Sequence, residues 1–194
     1  MTADGMSGNN ATPSPGRQAL LDAAISVVAK KGLRGLTYRS VAEEAGVTHA
    51  LVTHYFGSRD AFILEALQST IAEAERGVFA EDQTLDQFAS PLSEFISRER
   101  ELLVFQYELV LESLRRPELV EPIHKMYEDV QRSTGEQLSR LKVSDEDGAL
   151  VRLVVAALDG LFLRHLVDGD RESTEASVAV LRELLKRSDS ALDR

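Results

Sequence analysis

The chain has 194 residues, a formal net charge of −10 and no cysteine, with 43% apolar and 28% charged residues. Disulfide staples and thiolate metal sites are thereby excluded, and a reducing cytoplasm is the expected compartment. The length suits one good core, or a small domain beside a larger one.

The charge is uneven along the chain. Residues 1–60 carry six basic and five acidic side chains, a net of +1, whereas the rest hold 16 basic and 27 acidic ones, a net of −11. Only the first part can approach a polyanion without strong repulsion.

Residues 1–16, "MTADGMSGNNATPSPG", lack the basic and apolar blocks of a signal peptide and are rich in Gly, Asn, Ser and Pro, so they read as a disordered tail. From there on almost every segment reads as helix, with no sustained period-2 alternation. Residues 17–31 place Leu20, Ala24, Val27 and Val28 on one face, and Lys30-Lys31-Gly32 closes that helix with cations and a left-handed cap. Short helices are predicted at 37–45 and 48–56 and a longer one from Ser58 to about 76, with Thr37, Thr48 and Ser58 as N-caps.

Beyond Gly77, amphipathic helices are expected at 84–97, 98–115, 117–141, 145–167 and 173–187, with Pro91 inside the first of them. Pro117 suits a first helical turn, and Pro122 is either tolerated close to that start or kinks the helix. The acids before Gly148 cap the most apolar helix. Its longest apolar stretch, 149–167, is broken by Arg152, Asp159, Arg164 and His165, which argues for burial in protein rather than a membrane span. About nine helices with short loops predict an all-α fold.

Residues 38–60, "YRSVAEEAGVTHALVTHYFGSRD", hold two of the four histidines. His49 and His54 are five residues apart, which on a helix turns their rings about 140° from one another. Zinc pairs use spacings of three or four, so the metal reading fails. On the helical wheel of 48–56, Val52, Tyr55 and Phe56 cluster, with Thr48 and Leu51 adjoining. Opposite them stand His49, Ala50, Thr53 and His54. Such a helix spans about 11 Å, comparable to the roughly 12 Å width of the DNA major groove. The preceding segment offers Val41, Ala42 and Ala45 for burial and Gly46 for a tight turn, with Val47 and Val52 expected to close the small core. This is the steric pattern of a helix-turn-helix. Thr37, Tyr38 and Arg39 sit at a helix start, where free N–H groups favour phosphate, and Arg59 beside Ser58 supplies a second such point.

The stretch "GLTYRSVAEEAGVTHALVTHYFGSRDAFILEAL", residues 35–67, resembles the DNA-binding domain of TetR-family transcriptional regulators. The matches are Thr37, Val41, Ala42, Ala45, Gly46, Val47, Val52, Tyr55, Phe56, Ser58, Arg59, Asp60 and Phe62. Over the last 125 or so residues the likeness is one of architecture only. The resemblance implies an N-terminal three-helix DNA-binding domain at 17–60. It further implies a C-terminal helical bundle for effector binding and dimerisation at 61–194.

It also implies DNA contacts at Thr37, Arg39, Thr48, His49, Ala50, Thr53, His54, Tyr55 and Arg59. By chemistry, Arg39, Tyr55 and Arg59 are phosphate anchors, with hydroxyl or backbone contacts from Thr37 and Thr48. His49, Ala50, Thr53 and His54 face base edges, with Leu51 placed to graze a thymine methyl. Tyr55 fits core packing as well as a phosphate contact, His54 fits a solvated surface residue, and Ala50 fits mere spacing. Ala50 replaces the family's usual Gly, and Gly57 a common Pro. Thr53 replaces a common phosphate-binding Tyr, which shortens the reach and turns Thr53 towards the bases.

In the family the two last helices form a four-helix dimer interface, which places a homodimer at 145–167 and 173–187 and a near-palindromic operator beneath it. Lining of an effector pocket is assigned to Phe105, Glu108, His124, Tyr127, Asp159, Phe162 and His165, from a wider set with Phe88, Phe95, Tyr107 and Leu111. Plain core packing is the rival reading for the aromatic members. Neither cofactor nor metal is expected. The implied mechanism is a homodimeric repressor, released from double-stranded DNA when a small molecule shifts the helix at 58–76. An activator would carry the same chemistry. The alternatives are a DNA-binding dimer without effector and a helical-bundle enzyme. A di-metal bundle needs two Glu-x-x-His motifs, and the chain holds one, Glu121-Pro-Ile-His124.

Overall fold

The computed structural model describes residues 15–78, 84–90 and 92–192. The expectation of a disordered tail falls on residues 1–14, outside that range, while Pro15 and Gly16 already belong to the first helix. Nine α-helices and three short 3₁₀ turns make up the described residues, with no strand among them. The all-α expectation holds.

The first helix, α1 (Pro15–Lys31), starts on a proline whose missing N–H costs nothing at that position. Leu20, Leu21, Ala24, Val27 and Val28 are at most 1% exposed, because α1 packs against three other helices. It is the shared beam of the molecule. A 3₁₀ turn, Leu33–Gly35, leads to α2 (Tyr38–Ala45), α3 (His49–Phe56) and α4 (Arg59–Val78). Then come a 3₁₀ turn Leu85–Gln87, α5 (Leu92–Arg98), α6 (Arg100–Ser113) and a 3₁₀ turn Pro117–Leu119. The chain ends with α7 (Val120–Arg140), α8 (Ala149–Asp168) and α9 (Arg171–Leu192).

Helices α1 to α3 and the start of α4 form a head. The body is attached through α1, which packs on α6, and through α4, which packs on α7. Helix α8 lies between α7 and α9, with α5 against both α8 and α9. Buried residues of head and body form one continuous apolar core, so the head is not a bead on a string.

Element boundaries differ from expectation where caps and prolines compete. The helix expected at 84–97 is two pieces, a capped 3₁₀ turn from Thr84 and then α5. Ala89 between them has φ 52°, and a residue that precedes a proline, as Ser90 does, is disfavoured in the helical region. Pro122 lies in the first turn of α7, where its ring meets no earlier helical carbonyl. Helix α8 begins at Ala149 rather than Asp145, because the acids act as caps from outside. Asp145 accepts from the N–H groups of Leu150 at 3.2 Å and Val151 at 2.7 Å, and Asp147 from that of Ala149 at 2.9 Å.

Candidate nucleic-acid interface and ligand site

The turn between α2 and α3 is built by its backbone. Thr37 caps α2 by accepting from the Ser40 N–H at 3.0 Å, while the Ser40 hydroxyl accepts from the Thr37 N–H at 2.9 Å. At the other end Gly46 is left-handed, φ 66° and ψ 31°, a conformation that a side chain makes costly. The Val47 N–H then reaches the Ala42 carbonyl at 2.9 Å, which closes the turn. Val41 and Ala42 from α2 and Val52 and Phe56 from α3 fill the space beneath. Val47 does not join them: it stays 37% exposed, because the cap geometry points it outward, and Val52 alone closes the small core.

The faces of α3 fall where the wheel put them. Val52 and Phe56 are buried, and Leu51 and Tyr55 are half-buried. Thr48, His49, Ala50, Thr53 and His54 are all exposed. Thr48 holds the N-cap position with extended backbone but makes no side-chain cap bond, so its hydroxyl is available to another acceptor or donor. The Thr53 hydroxyl donates back to the His49 carbonyl at 3.2 Å. His49 meets the Tyr38 ring edge-on at 5.8 Å, and His54 meets Tyr55 likewise at 5.7 Å, so both imidazoles are oriented by a neighbouring phenol.

The expected phosphate anchors divide. Arg39 projects into solvent from the first turn of α2, restrained only by an exposed pair with Glu43 at 3.0 Å. Arg59 is different. Its Nε donates to the Leu36 carbonyl at 2.9 Å and its Nη2 to the Leu33 carbonyl at 2.7 Å, so the side chain is half-buried and braces the loop between α1 and α2. Two carbonyls in a turn without regular pairing hold the guanidinium against this loop.

Tyr55 is tied into the head. Arg17 donates to the Tyr55 carbonyl at 2.9 Å, grips the Glu65 carboxylate and lies 4.7 Å over the Phe56 ring. Arg17 is thus a brace that the sequence reading missed. Its partners lie 38 and 48 residues away, and no local pattern marks such a pairing.

The assigned effector residues scatter. Phe105 is fully buried and belongs to the core. The Glu108 carboxylate accepts from the Leu33 N–H at 3.2 Å, which clamps α6 to the head. It lines a groove of about 590 Å³ at the head–body junction together with Lys31, Arg34, Arg115 and Arg116. His124 is exposed on α7. His165 is buried, with Nδ1 2.8 Å from the Thr174 hydroxyl, so it joins α8 to α9.

Three do come together. Asp159 is half-buried on α8 and its carboxylate meets the phenol of Tyr127 on α7, while Phe162 follows one turn along α8. Tyr107 on α6 completes the group, its hydroxyl donating to the Asp159 backbone carbonyl at 3.0 Å as well as meeting the carboxylate. Burial pushes the Asp159 carboxyl above the usual carboxylate range, with the two phenols pulling it back. Burial likewise pushes Tyr127 up to about 12 and Tyr107 further still. Phe162 contacts Phe95 of α5 at a ring separation of 6.1 Å. No group of three or more His, Cys, Asp or Glu that could hold a metal exists among the described residues. Nor is any described helix long and apolar enough to cross a membrane.

A small all-α head with a short helix presenting polar side chains outward defines a helix-turn-helix DNA-binding regulator. Comparison with known proteins narrows the class. The family model described as bacterial regulatory proteins, tetR family, matches residues 20–66, and that of the tetracyclin repressor-like C-terminal domain matches residues 82–187. The chain belongs to the TetR family of transcriptional regulators and is not an enzyme. It is 27% identical over 186 residues to the HTH-type transcriptional regulator BetI of Rhizobium meliloti, covering 86% of each chain. To BetI of Agrobacterium fabrum it is 30% identical, covering 77% of this chain and 76% of that one. A TetR-family structure from Streptomyces coelicolor is 30% identical at a TM-score of 0.68, over 90% of this chain and 98% of that one. The multidrug binding protein EbrR complexed with ethidium is also 30% identical, at a TM-score of 0.63 over 89% and 98%.

Proposed function

We propose that the chain is a homodimeric repressor that sits on a near-palindromic operator in the cytoplasm and leaves it when a small molecule binds the body. The open polar face of α3 carries the reading: an acidic protein keeps Thr48, His49, Ala50, Thr53 and His54 clear of its own core and free of acids. His49, Ala50, Thr53 and His54 read base edges. Arg39, with the hydroxyls of Thr37 and Thr48, holds phosphate. Tyr55 contributes its ring to the head and its edge to the DNA backbone, and Arg59 fixes the loop from which Thr37 projects.

Two copies are needed to reach successive major grooves. A seam along α8 supports that: Leu153, Ala156, Gly160, Leu163 and Val167 recur at spacings of three and four and are all exposed in the single chain. On α9, Val180 and Leu184 are also exposed, at 60% and 58%. The seam and its α9 neighbours form the interface. Effector action is supported by likeness to EbrR, whose solved complexes hold proflavin and ethidium. A ligand that binds the DNA-free form better must, by linkage, be bound less well on DNA.

Selection of bound duplexes from a random pool tests this reading. A two-fold-related motif is the expected result, and enrichment of no motif would remove it. With that motif in hand, Arg39→Ala should weaken all sequences alike and reduce the salt slope by about one phosphate contact. His49→Ala should instead relax base preference at one position in each half-site, by about 1–3 kcal/mol. A loss shared equally by every sequence would move His49 to the anchoring set.

A further inference from the structure

We propose that the effector is an organic cation whose positive group seats on the Asp159 carboxylate, between the phenols of Tyr107 and Tyr127 and beside the Phe162 ring. This rests on the reading of the protein as an effector-controlled regulator and names the chemistry of its ligand.

Asp159 is the only acid from Ala149 to Val167, a stretch otherwise dominated by apolar residues. Its charge has no protein counter-ion among the described residues. The two arginines of the same helix are turned elsewhere: Arg164 pairs with Asp168, and Arg152 donates to the Asp147 carbonyl at 3.3 Å. The neighbouring phenols bring no positive charge, and the one proton of Tyr107 goes to the Asp159 backbone carbonyl. An asparagine would keep the shape and one acceptor oxygen without desolvating an ion, so the fold itself does not call for a charge here. A group that is costly to bury and uncompensated as an ion is what a cationic ligand completes.

The surroundings suit an organic cation rather than a metal. Oxygen-seeking metals need several carboxylates or carbonyls, and only one acid stands here. Aromatic rings beside the carboxylate offer their faces to a diffuse positive charge. A second polar atom also lacks a protein partner: the Thr134 hydroxyl is fully buried and unbonded. Thr134 is seven residues beyond Tyr127 on α7, the same helix face, roughly 10 Å along the axis. It offers the far end of an elongated ligand a hydrogen-bond partner.

The test uses full-length protein and two dyes of one ring shape, proflavin as the cation and acridine, uncharged at mildly alkaline pH, as its neutral counterpart. Wild type should prefer proflavin by about tenfold or more, and Asp159→Asn should erase that preference. The variant should melt no lower than wild type, since the side-chain shape remains and a buried charge is gone. Asp159→Glu should keep the preference. Equal affinity of wild type for the two dyes, or an undiminished preference in Asp159→Asn, overturns the proposal; the comparison on wild type stands even if the variant folds poorly. A neutral or anionic compound that displaces the operator while neither dye binds would overturn the cation assignment and leave the effector reading intact. Failure of every ligand class to displace DNA would remove that reading itself.

Discussion

Leu163→Glu should turn the proposed dimer into a monomer and lower operator affinity by about 100-fold or more, with little change in the fold of the single chain. Leu163 is 52% exposed in the protomer, so a glutamate there meets water and costs the isolated chain on the order of 0.5 kcal/mol. Across the two-fold axis of the proposed dimer the same position would meet its own copy or a close neighbour of it. Two carboxylates would then be desolvated in an apolar seam with no cation nearby, at several kcal/mol. The loss on DNA follows from valency. A dimer binds its second half-site at a high effective concentration, and this avidity is worth roughly 10²–10⁴. Light scattering gives the mass and a half-site duplex separates the two effects: affinity for one half-site should be unchanged. A variant that stays dimeric would show that the seam lies outside the interface. Val180→Glu on α9 provides an independent check, because Val180 is exposed as well.

How much of this could be read from the chain depends on the range of the interactions. The head was legible because its determinants are local. A cap at Thr37, a left-handed glycine at Gly46 and apolar residues at helical spacing fix α2 and α3 within about 20 residues, and the outward face of α3 follows from the same period. The bracing role of Arg59 was not legible, for the complementary reason. Its partners, the Leu33 and Leu36 carbonyls, become neighbours only once α1 and α4 are packed.

The body shows the same division more sharply. Asp159 was picked out as a polar residue interrupting an apolar helix, and it does lie among aromatic rings. His165 was picked out by the same logic and instead bonds Thr174, nine residues away across the turn to α9. Inward polarity marks a residue that needs a partner; whether that partner is protein or ligand is decided by the packing of three helices. His124, chosen by residue type alone, stands exposed on α7.

Phe105→Ala should destabilise the protein by about 3–5 kcal/mol, the range for removing a buried aromatic ring from a close-packed core. Phe105 is fully buried on α6 beside Leu102, Leu103 and Leu109 on the same helix. Helix α6 packs along α1, the beam that also carries α2 and α4, so a cavity there weakens head and body together. At about 2–4 °C per kcal/mol for a chain of this length, the thermal midpoint should fall by roughly 6–20 °C. A ligand-lining role makes a different prediction. A ring that faces a solvent-accessible site is already partly hydrated, and its loss would change ligand affinity while costing only about 1 kcal/mol of stability. Chemical denaturation of wild type and variant at equal protein concentration, followed by helical signal, distinguishes the two. In a parallel thermal melt, a midpoint moved by less than about 3 °C would return Phe105 to the candidates for the effector site. A large drop at unchanged slope would assign Phe105 to the core, on a helix that Glu108 holds to the head through the Leu33 N–H.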